Sequence, residues 1–223
     1  MLNKPAGLVC HPTKTDEYSS LVSRIRLYLG PETPVQLINR LDRETSGLVL
    51  AAKNHNTATA IRKIWSEPGA ASKTYLAIVH GQPPQEEGSI DAPIGRDVQS
   101  EVAIKDCVRS DGAQSKTTFR VLKRFLNAGR PFSLLEVSLL TGRKHQIRIH
   151  LQHLGHPIVG DKLYGGRPEL YLKFVRGELT PQDREELILP FHALHAGRLQ
   201  FRLKNETFQF TVPAESWFTA FLG

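Results

Sequence analysis

Apolar residues fall into two rhythms along this chain. Runs that suit strands occupy residues 47–52, 74–79, 117–122 and 133–140, short stretches whose apolar positions are alternating or continuous. Residues 198–203 and 207–212 alternate on either side of Lys204-Asn205-Glu206 and predict a hairpin near the C-terminus. Between the strands, residues 55–67 set Ala58, Ile61 and Trp65 at helical spacing, with Asn54 or Asn56 as N-cap and Pro68-Gly69 as the stop. A second helix is predicted beyond Thr141-Gly142, ending near Gly155, with Ile147, Leu151 and Leu154 as its buried stripe. A short closing helix is expected over 215–222. Residues 165–190 are charged and weakly periodic, either a surface excursion or a short helix around 181–187, and peripheral in both cases. The mixture predicts an α+β fold. With 223 residues, no repeat and no linker, one domain over 1–223 is expected.

Composition narrows the class. The chain is 40% hydrophobic and 23% charged, which excludes a mainly disordered, collagen-like or disulfide-scaffold protein. No run approaches the roughly 18 apolar residues of a membrane span, so a soluble protein is expected. Lys and Arg number 29 against 22 Asp and Glu, a net +7 that suits a polyanionic partner and equally an ordinary basic protein. Cys10 and Cys107 form no CxxC pair and the N-terminus has no apolar signal core, which points to a reducing, cytoplasmic setting. No Walker A loop, GxGxxG or GxSxG motif occurs, so nucleotide coupling, hydride transfer and a serine-nucleophile elbow lose their motif support.

Two segments carry chemistry. Asn39-Arg40-Leu41-Asp42-Arg43-Glu44-Thr45-Ser46-Gly47 gathers charge and hydroxyls just before an apolar run. Asp42 is either a turn carboxylate paired with Arg40 or Arg43, or a reactive group kept ionised by those cations. Leu139-Leu140-Thr141-Gly142-Arg143-Lys144-His145-Gln146-Ile147-Arg148-Ile149-His150-Leu151 runs from strand into helix. Arg143 and Lys144 near the helix start meet the wrong end of the macrodipole, so an anion, Asp42 or an RNA phosphate, should compensate them. His145, His150, His153 and His156 share this region. On a helix only His150 and His153 converge, and HExxH and a Cys pair are missing, so no metal site is expected and these read as polar surface histidines.

Together these segments resemble the RNA pseudouridine synthases of the RluA/RsuA group, nearer the RluA branch. Asn3-Lys4-Pro5-Ala6-Gly7-Leu8-Val9-Cys10-His11-Pro12 resembles the first motif, and Arg40-Leu41-Asp42 to Ser46-Gly47 the catalytic motif. Lys73-Thr74-Tyr75 to Gly81 resembles the tyrosine segment. Thr141-Gly142-Arg143 to Leu151, continuing through residues 155–161 to Tyr164-Gly165-Gly166, resembles the arginine motif.

The resemblance implies a catalytic domain with a central, mostly antiparallel sheet, flanking helices and an RNA-binding cleft. It also implies a cofactor-free isomerisation of uridine in ribosomal or transfer RNA; a chain of this size is expected to act as a monomer. It makes Asp42 the catalytic aspartate, Tyr75 the ring that packs on the base, and Arg148 the partner of Asp42. Arg143 stays an alternative partner, because a helical wheel sets it nearer the buried stripe. Arg40 would fill the stack left by the flipped nucleotide; Arg43, Arg143, Lys144, His145 and Lys73 would contact RNA. Two departures stand out: Asn39 replaces the usual His of this branch, and the chain starts inside the first motif, with no S4-like domain ahead of it.

Overall fold

The apolar run over 47–52 does not make one strand. In the computed structural model it forms strands Ser46–Val49 and Ala51–Ala52, interrupted at Leu50. The break has a local cause. The Leu50 N–H donates to the side-chain Oδ1 of Asn39 at 2.8 Å, while Leu50 O accepts from Ile38 N at 2.8 Å. The backbone thus changes partners at that residue.

The structure describes residues 1–12, 19–67, 69–203 and 205–223. The stop assigned to Pro68 and the Lys204 position of the C-terminal turn lie outside them. In chain order the first elements are β1 (Leu2–Lys4), α1 (Leu21–Leu29), β2 (Gln36–Leu37), β3 (Ser46–Val49), β4 (Ala51–Ala52), α2 (His55–Ser66) and β5 (Ala71–His80). Then come β6 (Glu87–Asp91), β7 (Ile94–Arg96), β8 (Asp106–Val108), β9 (Lys116–Asn127), β10 (Arg130–Leu139) and α3 (Gln146–His153). The chain closes with α4 (Glu169–Arg176), α5 (Pro181–Leu187), β11 (Leu194–Leu203), β12 (Glu206–Thr211) and α6 (Ser216–Ala220). The class is α+β. Among the described residues no helix is long and apolar enough to cross a membrane.

The chain divides into two compact units, Met1–Thr74 with His195–Ser216 and Tyr75–Leu194 with Trp217–Gly223. In the first, β1 pairs antiparallel with β3, β3 parallel with β11, and β11 antiparallel with β12. The parallel contact is close: Gly47 pairs with Ala196 at φ +110°, and a Cβ there would lie 2.3 Å from Ala196 O. Only glycine fits that strand at that separation. α2 starts as expected, with Asn54 Oδ1 accepting from Thr57 N at 2.8 Å. The core holds Leu48, Leu50, Ile61, Leu199 and Phe201, with Trp65 and Phe208 packed on it. Each fully buried side chain of this size contributes about 1.5–3 kcal/mol.

In the second unit β5, β10, β9 and β6 lie side by side in that order. β9 and β10 form a long antiparallel hairpin closed at Ala128 (φ 48°) and Gly129 (φ 74°), the positive φ pair of a primed turn. A bulge leaves Leu122 without a partner, since Leu134 faces Lys123 and Leu135 faces Val121. Residues 165–190 depart from their expected peripheral role. They hold two helices, and α5 is started by a capping box in which Thr180 and Asp183 exchange side-chain to backbone bonds. Leu170 of α4 is buried, and Tyr171 and Leu172 pack on the cluster of Ile94, Val102, Ile149, Leu163 and Tyr164.

Candidate functional site

Several hydrogen bonds hold the backbone of the loop that carries Asp42. Lys4, fully buried in β1, donates from Nζ to Arg43 O at 3.0 Å, as well as to Leu8 O (2.8 Å) and Pro5 O (2.9 Å). The Cys10 thiol donates to Leu41 O and accepts from Leu41 N, both at 3.4 Å. Thr45 N donates to Asp42 O at 3.2 Å, and the Ser46 hydroxyl lies 2.9 Å from Nδ1 of buried His195. The Asn39 amide completes the frame, donating from Nδ2 to Leu48 O at 3.0 Å while Oδ1 takes Leu50 N–H. It behaves as a side-chain substitute for a strand partner. Residues 4–10 and 39–46, two separate motifs in sequence, are therefore one structure.

Within this unit Asp42 is half-buried, and Arg40 and Arg43 are exposed, with Arg43 Nε donating to Gly7 O at 3.2 Å. Lys73 places its ammonium 4.8 Å from the Trp65 ring centroid, and burial pushes that ammonium down to about 8. Burial likewise pushes Lys4 down to about 8, against the attraction of Cys10, Glu215 and Asp42.

The other unit contributes the tyrosine and arginine motifs. Tyr75 is buried at 8% exposure in β5. Arg148 is buried in α3 and forks onto Asp161, Nε to Oδ2 at 2.6 Å and Nη2 to Oδ1 at 2.9 Å. Asp161 also accepts from Leu163 N (2.9 Å) and Tyr164 N (3.0 Å). Its burial opposes ionisation, but the Arg148 guanidinium and these bonds outweigh that and hold the carboxyl well below the usual range. The same guanidinium lies 4.9 Å from the Tyr164 ring centroid, and Tyr164 Oη meets His145 Nδ1 at 3.0 Å.

Three expectations about this motif change. α3 begins only at Gln146, with His145 at φ 56° before it, so Arg143 is not on the helix and the wheel argument does not apply to it. Arg143 is exposed, with Nε on Gln114 O at 3.3 Å. The anion beside exposed Lys144 is Asp106, at 2.8 Å. The histidines are not all on the surface. His150 is fully buried, its Nε2 donating to Ala92 O at 2.9 Å and its Nδ1 2.8 Å from Thr117 Oγ1. Among the described residues no group of three or more His, Cys, Asp and Glu is placed to hold a metal ion.

Sequence reasoning passed over Gln146 and Asp161. Gln146 Oε1 accepts from Thr141 Oγ1 and Arg143 N, and its Nε2 donates to Lys116 O and Thr117 Oγ1, fixing the turn into α3. A buried guanidinium requires a carboxylate, and Asp161, already inside the matched stretch, was the available signal.

A family model described as RNA pseudouridylate synthase matches residues 1–153, a stretch that contains the Asp42 loop, Tyr75 and Arg148. The chain belongs to the RNA pseudouridine synthase family. An uncharacterized RNA pseudouridine synthase of Chloroflexus aurantiacus is 44% identical over 172 residues, 74% of this chain and 51% of that protein. The dual-specificity RNA pseudouridine synthase RluA of Vibrio parahaemolyticus is 40% identical over 166 residues, 73% of this chain and 64% of that protein. The solved structure of human RNA pseudouridylate synthase domain containing 1 superposes with a TM-score of 0.73 at 28% identity, over 95% of this chain and 78% of its own. The chain spans about half the length of the curated relatives it matches first. In this pseudouridine synthase the first and catalytic motifs meet in one backbone frame around Asp42, and the arginine motif builds a second around Arg148.

Proposed function

We propose that this pseudouridine synthase isomerises uridine to pseudouridine in ribosomal or transfer RNA, with Asp42 as the essential carboxylate. The observation that carries this reading is the set of hydrogen bonds from Lys4, Cys10 and Thr45 that fall on the backbone of residues 41–43. A catalytic group held this firmly costs little reorganisation at the moment of reaction. Family membership supplies the reaction class.

The reaction breaks the bond from C1′ to N1, turns the uracil and joins C5 to C1′; C5 loses its proton to solvent and N1 takes one up. It neither gains nor loses electrons, and the proton lost is matched by the proton gained, so its balance asks for no cofactor. In this reading Tyr75 offers the uracil a flat apolar face and a hydroxyl tip, and Arg148 supplies the guanidinium that supports the carboxylate. Arg40, Arg43, Arg143, Lys144, His145 and Lys73 contact the RNA. The target leaves its stack at a cost of a few kcal/mol, which contacts to the backbone offset. The enzyme works as a monomer in the cytoplasm, in keeping with two free cysteines.

Tritium release from 5-tritiated uridine in RNA tests the reading. Asp42→Asn should abolish release while retaining salt-sensitive RNA binding; undiminished release from this variant removes Asp42 from the chemistry.

A further inference from the structure

The unit that carries Asp42 contains a concave feature beside α1. A basin of about 410 Å³ opens beside α1 and β2, with Val22 and Leu37 among its apolar lining and His11, Arg26, Arg40 and Arg62 among its polar lining. Among the described residues that line it, none is acidic. Arg62 is held in place, Nη1 donating to Gln36 Oε1 at 2.8 Å and Nη2 to Leu37 O at 3.2 Å. Arg26 ends on the same side of α1 as Val22, one helical turn earlier, with Val22 buried and Arg26 exposed. The crowding of cations registers on His11. Partial burial and then the charges of Arg40 and Arg26 hold its imidazole below the ordinary histidine value, so it stays neutral and able to share a hydrogen bond.

Converging guanidinium forks over an apolar floor suit one ligand chemistry, a phosphodiester with its sugar. The fork matches phosphate oxygens in pairs, and the floor accepts ribose carbons. Position narrows the source. Arg40 lies two residues from Asp42, so their Cα atoms are at most about 7 Å apart, and a nucleic-acid strand advances about 3.4 Å per nucleotide. A phosphate held at Arg40 would lie within a nucleotide or two of one presented to Asp42.

We propose that this basin is a phosphodiester subsite, formed by Arg26 and Arg62 with His11, which grips the RNA backbone beside the target uridine and sets which uridine faces Asp42. The inference rests on the isomerase reading above, and its test separates the two. The probe is a fluorescently labelled, uridine-containing stem-loop RNA, titrated with the full chain over a range of salt concentrations, using wild type, Arg26→Gln and Arg62→Gln. Each variant should weaken binding roughly tenfold. Each should also flatten the slope of log affinity against log salt by about 0.7–0.9, the signature of one lost phosphate contact. Arg62→Gln also removes a brace on β2, so Arg26→Gln is decisive. If Arg26→Gln binds the RNA with wild-type affinity and wild-type salt slope, the subsite does not exist. Binding is read without turnover. If the wild type releases no tritium while Arg26→Gln still flattens the salt slope, the isomerase reading is refuted and the subsite stands.

Discussion

Asp42 and Asp161 are two carboxylates of the same family signature, one in a loop whose backbone is pinned by its neighbours, the other clamped through its own oxygens. Asp161 is fully buried and fixed through its own oxygens, by the Arg148 fork and two backbone N–H groups. Asp42 is half-buried, and the bonds from Lys4, Cys10 and Thr45 fall on backbone atoms of residues 41–43. A carboxylate fixed through its oxygens is a structural tie. At Asp42 the bonds to the surrounding backbone fix where the residue sits, which is what a reacting group requires.

The comparison is easiest to break at the structural end. Asp161→Asn leaves a buried guanidinium without its charge partner and should cost about 3–5 kcal/mol in urea unfolding. The same carboxyl gives a pH signature. Because it titrates below the ordinary value of about 3.9, the unfolded chain takes up the proton first as pH falls. The stabilisation is complete above about pH 5 and fades below about pH 4. Acid unfolding followed by circular dichroism should therefore be steeper for the wild type than for Asp161→Asn.

Lys4→Met comes next. It strips the donor from three carbonyls and should cost about 2–4 kcal/mol. It should also lower the rate of tritium release beyond what unfolding explains, since Arg43 O loses its anchor. The folded ammonium titrates at about 8 and the unfolded one near 10.5. Between those values the unfolded chain holds more protons, so wild-type stability should rise with pH over that window while Lys4→Met shows no such rise.

Asn39 sharpens the comparison at smaller amplitude. Asn39→Ala removes both bonds to Leu48 and Leu50 and should cost about 1–3 kcal/mol. Asn39→His, restoring the residue usual in the RluA branch, should recover part of the lost rate, as measured by single-turnover tritium release.

Much of the scaffold was legible in the chain. The residues at 74–79, 117–122 and 133–140 alternate or cluster strongly enough to specify strands on their own, and Asn54 caps α2 where a short polar acceptor was available. What escaped was pairing at a distance. The split at Leu50 depends on an amide eleven residues earlier. α1 was missed because exposed Leu27 and Tyr28 blur its stripe of Leu21, Val22 and Ile25. In the arginine motif, the residues were recognisable but their partners were not. Arg148 meets Asp161 across a turn whose course no periodicity encodes, and a positive φ at His145 delays the helix past Arg143. Lys4 and Cys10 lay in a recognised motif, yet only folding brings them to the backbone of residues 41–43.

The most direct test puts Asp42→Asn and Asp161→Asn through one paired measurement, urea unfolding and tritium release on the same preparations. Asp42→Asn should unfold at the wild-type midpoint and release no tritium, while Asp161→Asn should unfold at markedly lower urea. An Asp42→Asn protein that isomerises RNA at the wild-type rate, or that is inactive only because it unfolds as early as Asp161→Asn, would contradict the division of labour between the two carboxylates.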